Sequence, residues 1–295
     1  MQRTRTGLRS DGAGRRLERL NRERPEWASW IAAYAETLRL GEEPKRWPLH
    51  VRVDPARSPS APVLDGATVF LDPAATGSFL RRLIEAGTQG QSADLDGARL
   101  LEAALDRTPE RWAALAAGAG LSPEPLATLA ELAVAPIMRA IAERVAGAAP
   151  ERWGEGYCPV CGAWPTLVEM RGLDRQRHLR CSRCGGGWRR DVLHCAFCGE
   201  RDHERQKAFA AEGEEETRRV EACDSCSGYA KAIATLAAIP AAELALEDLA
   251  TVELDLVALE RGYRRPDHPG HALAVRFAPL EERQLEEEGT WARAT

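Results

Sequence analysis

Aromatic residues make up only 6% of this 295-residue chain, too few to line a nucleic-acid groove by stacking on bases. Basic charge is not in excess either. Forty Lys and Arg stand against 45 Asp and Glu, a formal net charge of −5, which removes the simplest electrostatic ground for binding DNA or RNA with the chain as a whole. Long apolar runs are missing. The most apolar stretch, 126–142, is interrupted by Glu131, Pro136 and Arg139, so a core helix is expected there and no membrane span anywhere. Arg15-Arg16 looks superficially like a twin-arginine export signal, but no apolar segment follows it, and the expectation is a helix in a cytoplasmic protein. There is no G-x-G-x-x-G or G-K-[ST] phosphate loop, no H-E-x-x-H motif and no evident nucleophile and base pair. Cysteine is absent from every position outside 158–226.

What is present fits a soluble globular protein: 44% hydrophobic and 29% charged residues, with length for two domains or for one domain carrying small modules. Charge is uneven along the chain. The net balance is +1 over 1–150, +3 over 151–207 and −9 over 208–295, and the stretch from Arg171 to Arg190 alone carries seven Arg and one Asp. That basic stretch, with Trp188 beside Arg189-Arg190, motivates a nucleic-acid reading; its alternative is that arginines offset the charge of nearby thiolates.

Residues 1–150 read as one all-α domain. Helices are expected over 14–24, over 26–40 with Pro25 at the entry and Gly41 at the exit, and then over 78–84, 94–105, 109–117 and 123–145. Thr108-Pro109 and Ser122-Pro123 place a capping hydroxyl before a proline at the first helical position, and Pro136 interrupts the last helix. Trp27, Trp30, Ile31, Tyr34 and Leu38 share one helix face, which reads as core packing. The Pro-rich segment 44–62 reads as a loop, 229–239 and 241–259 as helices, and the Glu-rich tail from Glu281 to Glu288 as a solvated end.

The eight cysteines form four C-x2-C pairs: Cys158/Cys161, Cys181/Cys184, Cys195/Cys198 and Cys223/Cys226. Two intervening residues let both thiolates of a pair point to one side of a tight turn, and two such turns complete a tetrahedral four-sulfur site, so eight cysteines make two sites. Gly162, Gly185 and Gly199 follow the second cysteine of three pairs; in the fourth, Ser227-Gly228 shifts the glycine by one. Disulfides are the competing assignment, but the spacing is the wrong framework for a stapled secreted domain.

An internal repeat suggests how the pairs combine. Aligning 158–162 with 195–199 and Cys181/Cys184 with Cys223/Cys226 makes each unit a knuckle, a hairpin and a knuckle, with strands at 166–170 and 177–180, then 207–211 and 217–222. The first pair then joins the second and the third joins the fourth; a cross-braced arrangement is the alternative. Geometry does not separate Zn(II) from mononuclear iron in such sites. His178, His194 and His203 lie nearby and read as surface or strand-packing residues, because the cysteines already saturate two sites. A closed tetrathiolate centre lacks the open position of hydrolytic metal catalysis, so no enzyme activity is expected.

The motif C-P-V-C-G-x-x-P at Cys158–Pro165, then Leu179-Arg180-Cys181, Trp188, Arg190, Glu221, Cys223-Asp224-x-Cys226, Tyr229 and Lys231, resembles the formate dehydrogenase accessory protein (FdhE) family. The similarity extends to Asp248-Leu249-Ala250, Leu254-Asp255 and Gly262-Tyr263 and is fainter in 15–20, so it covers about residues 155–263. The resemblance implies a cytoplasmic accessory or maturation factor that binds the catalytic (alpha) subunit of Tat-exported respiratory formate dehydrogenase. It also implies iron rather than zinc in the two sites, one metal ion each, held by all eight cysteines. The expected fold class is α+β: a mostly α-helical domain over 1–150, two tandem rubredoxin-like or zinc-ribbon modules over 155–192 and 193–228, and C-terminal helices with an acidic tail over 229–295. A zinc-ribbon nucleic-acid binder and a rubredoxin-like electron carrier are the alternatives. Arg171, Arg175, Arg180, Trp188 and Arg190 form the candidate client contact.

Overall fold

Apolar residues at helical spacing produce the helices of the N-terminal half. A computed structural model of the chain describes residues 7–87, 96–106, 109–120, 122–191, 194–213 and 216–281. Six α-helices precede residue 145 among them: α1 (Gly7–Glu23), α2 (Ala28–Leu40), α3 (Pro73–Gly87), α4 (Gly97–Asp106), α5 (Pro109–Ala119) and α6 (Pro123–Arg144). Pro136 lies inside α6. The Thr108 cap, the first residues of the helix expected from 94 and the acidic tail from Glu282 lie outside the described residues.

The chain divides into two units. Residues 54–65 and 145–273 form one; the described residues before, between and after those ranges form the other. In the helical unit α6 buries Leu126, Ala130, Ala133, Ile137 and Ile141 along one stripe, and α3 buries Phe79, Leu80, Leu83 and Ile84. Trp47 meets Phe79 edge-on at 5.3 Å between ring centroids. The stripe on α2 is a core face as expected, with Ile31 and Tyr34 buried and Trp30 stacked on Tyr34 at 4.8 Å.

This unit is not purely helical. Strands β1 (Leu49–Arg52) and β2 (Thr68–Leu71) pair antiparallel, and β9 (Arg276–Pro279) pairs parallel to β2. Part of the segment read as a loop is therefore a strand. Four residues give too short a pattern to register as periodicity, and the partner of β2 comes from more than 200 positions further along the chain.

The cysteine-bearing unit is built on a six-stranded sheet in the order β5-β4-β3-β8-β7-β6. Its strands are β3 (Leu167–Arg171), β4 (Gln176–Arg180), β5 (Gly187–Arg189), β6 (Gln206–Phe209), β7 (Arg218–Cys223) and β8 (Tyr229–Thr235). Neighbours pair antiparallel except β3 and β8, which run parallel from Leu167 opposite Lys231 to Arg171 opposite Thr235. The two expected hairpins are present. The helix expected over 229–239 is instead the central strand β8. Alternation of Tyr229, Lys231 and Ile233 with Ala230, Ala232 and Ala234 has the period of a strand, but alanine and lysine are helix formers, and tertiary pairing overrides that preference. Helices α7 (Leu244–Leu249) and α8 (Val252–Glu260) follow, so the helix expected over 241–259 is two helices separated near Ala250-Thr251. No helix of the described residues is long and apolar enough to cross a membrane.

Candidate metal centres

Each C-x2-C pair sits in a turn whose backbone closes on itself. The amide N–H of the first cysteine donates to the carbonyl five residues on in all four: Cys158 to Ala163, Cys181 to Gly186, Cys195 to Glu200 and Cys223 to Gly228. Gly162, Gly185 and Gly199, directly after the second cysteine, take φ of 67, 77 and 74°. In the fourth turn this left-handed position has not moved; Ser227 occupies it with φ 55°. Gly228 meets a different demand, because a Cβ there would lie 2.8 Å from the Phe197 ring and 3.1 Å from Cys226 Sγ. Ser227→Gly is therefore expected to raise stability by about 1 kcal/mol, since a side chain is disfavoured in that conformation. Urea denaturation of the metal-loaded protein would measure it, and Gly228→Ala should be destabilising in the same assay.

The turns bring the sulfurs together in two groups of four. Cys158, Cys161, Cys181 and Cys184 form the first and Cys195, Cys198, Cys223 and Cys226 the second, with the ligand atoms of each group within 4.8 Å of one another. The cross-braced alternative is not the arrangement adopted. Sulfur separations are 3.5 Å for Cys158 to Cys184, 3.6 Å for Cys161 to Cys181, 3.8 Å for Cys195 to Cys226 and 3.7 Å for Cys198 to Cys223. A metal with bonds to sulfur of ~2.3 Å has tetrahedral edges of ~3.8 Å, whereas a disulfide needs ~2.05 Å. The donor set and its spacing thus fit a divalent metal. No histidine belongs to either group among the described residues.

The two groups differ in surroundings. All four cysteines of the first are buried, whereas Cys198 and Cys226 of the second are exposed. Burial pushes the Cys158 thiol up, and hydrogen bonding from the other three cysteines holds Cys181 down. In the second group, burial raises Cys195 to about 11. Packing several thiolates together without a cation is unfavourable, and a bound metal reverses that preference.

Four of the seven arginines of the basic stretch, Arg171, Arg175, Arg177 and Arg180, are paired with carboxylates. Arg180 is buried and pairs with fully buried Glu169, which also accepts from Arg171 and from the Ile239 backbone N–H. Arg177 is buried and pairs with Glu221 at 2.9 Å. Trp188 is buried, Arg175 donates to the Glu216 carbonyl and Arg190 to the Gly154 carbonyl. Arg180 and Trp188 therefore cannot serve as a client contact as expected. The counter-charges of Arg177 and Arg180 come from other strands, which spacing alone does not reveal.

The motif residues beyond the cysteines meet in a second buried network. Lys231 of β8, fully buried, donates to Asp255 at 2.6 Å and lies 2.8 Å from Asp248; Tyr229 donates to Asp255 at 2.7 Å, and Arg265 reaches both carboxylates. Burial pushes the Asp248 carboxyl up, but Arg265 and Lys231 outweigh it and hold it below the ordinary value. Folding therefore favours its ionised form: the stabilisation is complete above the ordinary carboxylate pKa and is lost as pH falls through the lower folded value. Asp248→Asn is expected to lower stability at neutral pH and to flatten its acid dependence below about pH 4, which denaturant midpoints measured across pH would show.

Residues 193–269 match the family model described as FdhE, C-terminal domain. An FdhE homologue of Stutzerimonas stutzeri is 36% identical over 118 residues, 39% of this chain and 38% of that protein. One from Aquifex aeolicus is 34% identical over 116 residues, 38% and 40% of the two chains. The FdhE protein of Escherichia coli is 30% identical over 129 residues, 42% and 41% of the two chains. The matched region thus spans about two fifths of these relatives' length. The crystal structure of the FdhE protein from Pseudomonas aeruginosa superposes with a TM-score of 0.54 at 24% identity, covering 89% of this chain and 94% of that one. The resemblance read from the four cysteine turns is met in sequence and in fold: residues 193–269 match the FdhE C-terminal domain, and the chain shares its fold with the FdhE protein of Pseudomonas aeruginosa.

Proposed function

We propose that the chain is a cytoplasmic accessory protein for formate dehydrogenase that binds the catalytic (alpha) subunit of the Tat-exported respiratory enzyme and assists its assembly, without enzymatic activity of its own. The match of 193–269 to the FdhE C-terminal domain carries this reading, supported by two tetracysteine groups within the same unit. Cys158, Cys161, Cys181 and Cys184 hold one metal ion and Cys195, Cys198, Cys223 and Cys226 the other, with iron favoured by the resemblance and zinc compatible with the same sulfurs. A metal there ties distant turns together and, if it is iron, supplies a one-electron couple. The chain's own part is to keep four thiolates convergent in each site and to bury the first from solvent.

The test is affinity purification of the tagged full chain from cells expressing a respiratory formate dehydrogenase. Co-elution of the catalytic subunit, and loss of active enzyme on deletion, are the expected results. Normal enzyme maturation in the deletion strain together with no co-elution would overturn the reading.

A further inference from the structure

The structure assigns the two centres different kinetic roles. The first is a permanent structural centre, and the second is an exchange site where a small metal-binding molecule reaches the metal through a pocket over Cys198 and Cys226. This inference rests on the proposal that both groups hold metal.

Two independent observations carry it. The first is exposure: every sulfur-bearing residue of one centre is buried, while Cys198 and Cys226 reach solvent. The second is a pocket of about 220 Å³ whose lining includes those same two cysteines together with Trp164, Phe197, Arg264, Asp267 and His268. The pocket has firm walls. Trp164 meets Phe197 edge-on at 5.4 Å and His268 at 6.0 Å, and Phe197 packs so closely on Gly228 that no Cβ fits between them. Two of the four cysteines line it, so an entering ligand can approach this centre before the protein's thiolates let go.

The pocket selects its ligand by size rather than by charge. A tetrathiolate around a divalent metal carries a formal charge of −2, Arg264 and Asp267 in the lining bring one charge of each sign, and Arg265 is already committed to Asp248 and Asp255. A small chelator whose donors compete with thiolate for the metal fits the opening. In the exchange the metal passes to the chelator, and the four thiolates keep their electron pairs and take up protons from water. No oxidant is involved.

The experiment uses the full chain loaded with two equivalents of Zn²⁺ and challenged with the anionic chromogenic chelator 4-(2-pyridylazo)resorcinol. Release is expected in two phases of one equivalent each, the faster by at least ~10-fold, because exposed thiolates react while buried ones are inert. Iodoacetamide footprinting with mass spectrometry should label Cys198 and Cys226 during the fast phase and leave the first four cysteines unmodified. Arg264→Glu should slow the fast phase alone, because the probe is an anion, and Cys226→Ser should hasten loss of the metal held by the second centre while the first centre keeps its own. A single release phase for both equivalents, or early labelling of Cys158, Cys161, Cys181 or Cys184, overturns the division of roles. A starting stoichiometry below two overturns the metal assignment itself, and this inference with it.

Discussion

Stripping both metals is expected to unfold the cysteine-bearing unit while most of the helical signal survives. Among the described residues, two apolar clusters built on the six-stranded sheet are small: Val220, Ala222, Tyr229, Leu254 and Ala258 in one, and Leu167, Ile233, Ile239 and Leu244 in another. Structural zinc in comparable sites contributes about 10–16 kcal/mol of apparent binding energy, as much as the whole stability of an ordinary domain, so metal binding there is folding energy. The helical unit, by contrast, buries its own stripes on α3 and α6. Circular dichroism and near-ultraviolet tryptophan signals, followed during chelation under reducing conditions, separate the outcomes. Loss of the Trp188 environment with retention of helix is expected; simultaneous loss of both would show that the helices depend on the metal centres.

Replacing Glu169 by alanine in the metal-loaded protein is expected to cost about 3–5 kcal/mol. The carboxylate is fully buried on β3, flanked by Arg180 and Arg171, and it also accepts the Ile239 N–H. Its removal leaves the buried Arg180 guanidinium without its counter-charge, which costs far more than the pair itself contributes. Glu169→Gln keeps the shape and one acceptor oxygen and should fall between wild type and alanine. Metal content should stay at its starting value in both variants if the loss is electrostatic, and equal stability of all three proteins would refute the role given to this pair.

These two expectations mark what is legible in a single sequence. The cysteine turns, the tips between paired strands and the helical stripes are local patterns, and β3, β4, β6 and β7 fall within one or two residues of where turn signals place them. The meaning of Lys231, Glu169 and Arg177 is not local. Lys231 is partnered by residues 17 and 24 positions away, and Arg177 by one 44 positions away. Read along the chain they are ordinary surface charges; only the pairing of β3 with β8 places Glu169 and Lys231 in the interior. The same distance hid β8, whose alanines read as helix until its two neighbours enclose it. Ser227 is the opposite case: the missing glycine is visible in the sequence, whereas the left-handed backbone that the serine keeps is a property of the folded turn.

The parallel junction of β3 and β8 has a consequence for synthesis on the ribosome. The first four cysteines and their hairpin are complete once residue 189 has emerged, but β3 then presents one unpaired edge until β8, ending at Thr235, follows. For that interval the nascent chain holds an open strand with buried-type residues at Leu167, Val168 and Glu169, the kind of edge that recruits other strands. Early metal capture by the first site would keep this half-finished sheet in register while the remaining strands are made, giving that centre a task before the protein is whole.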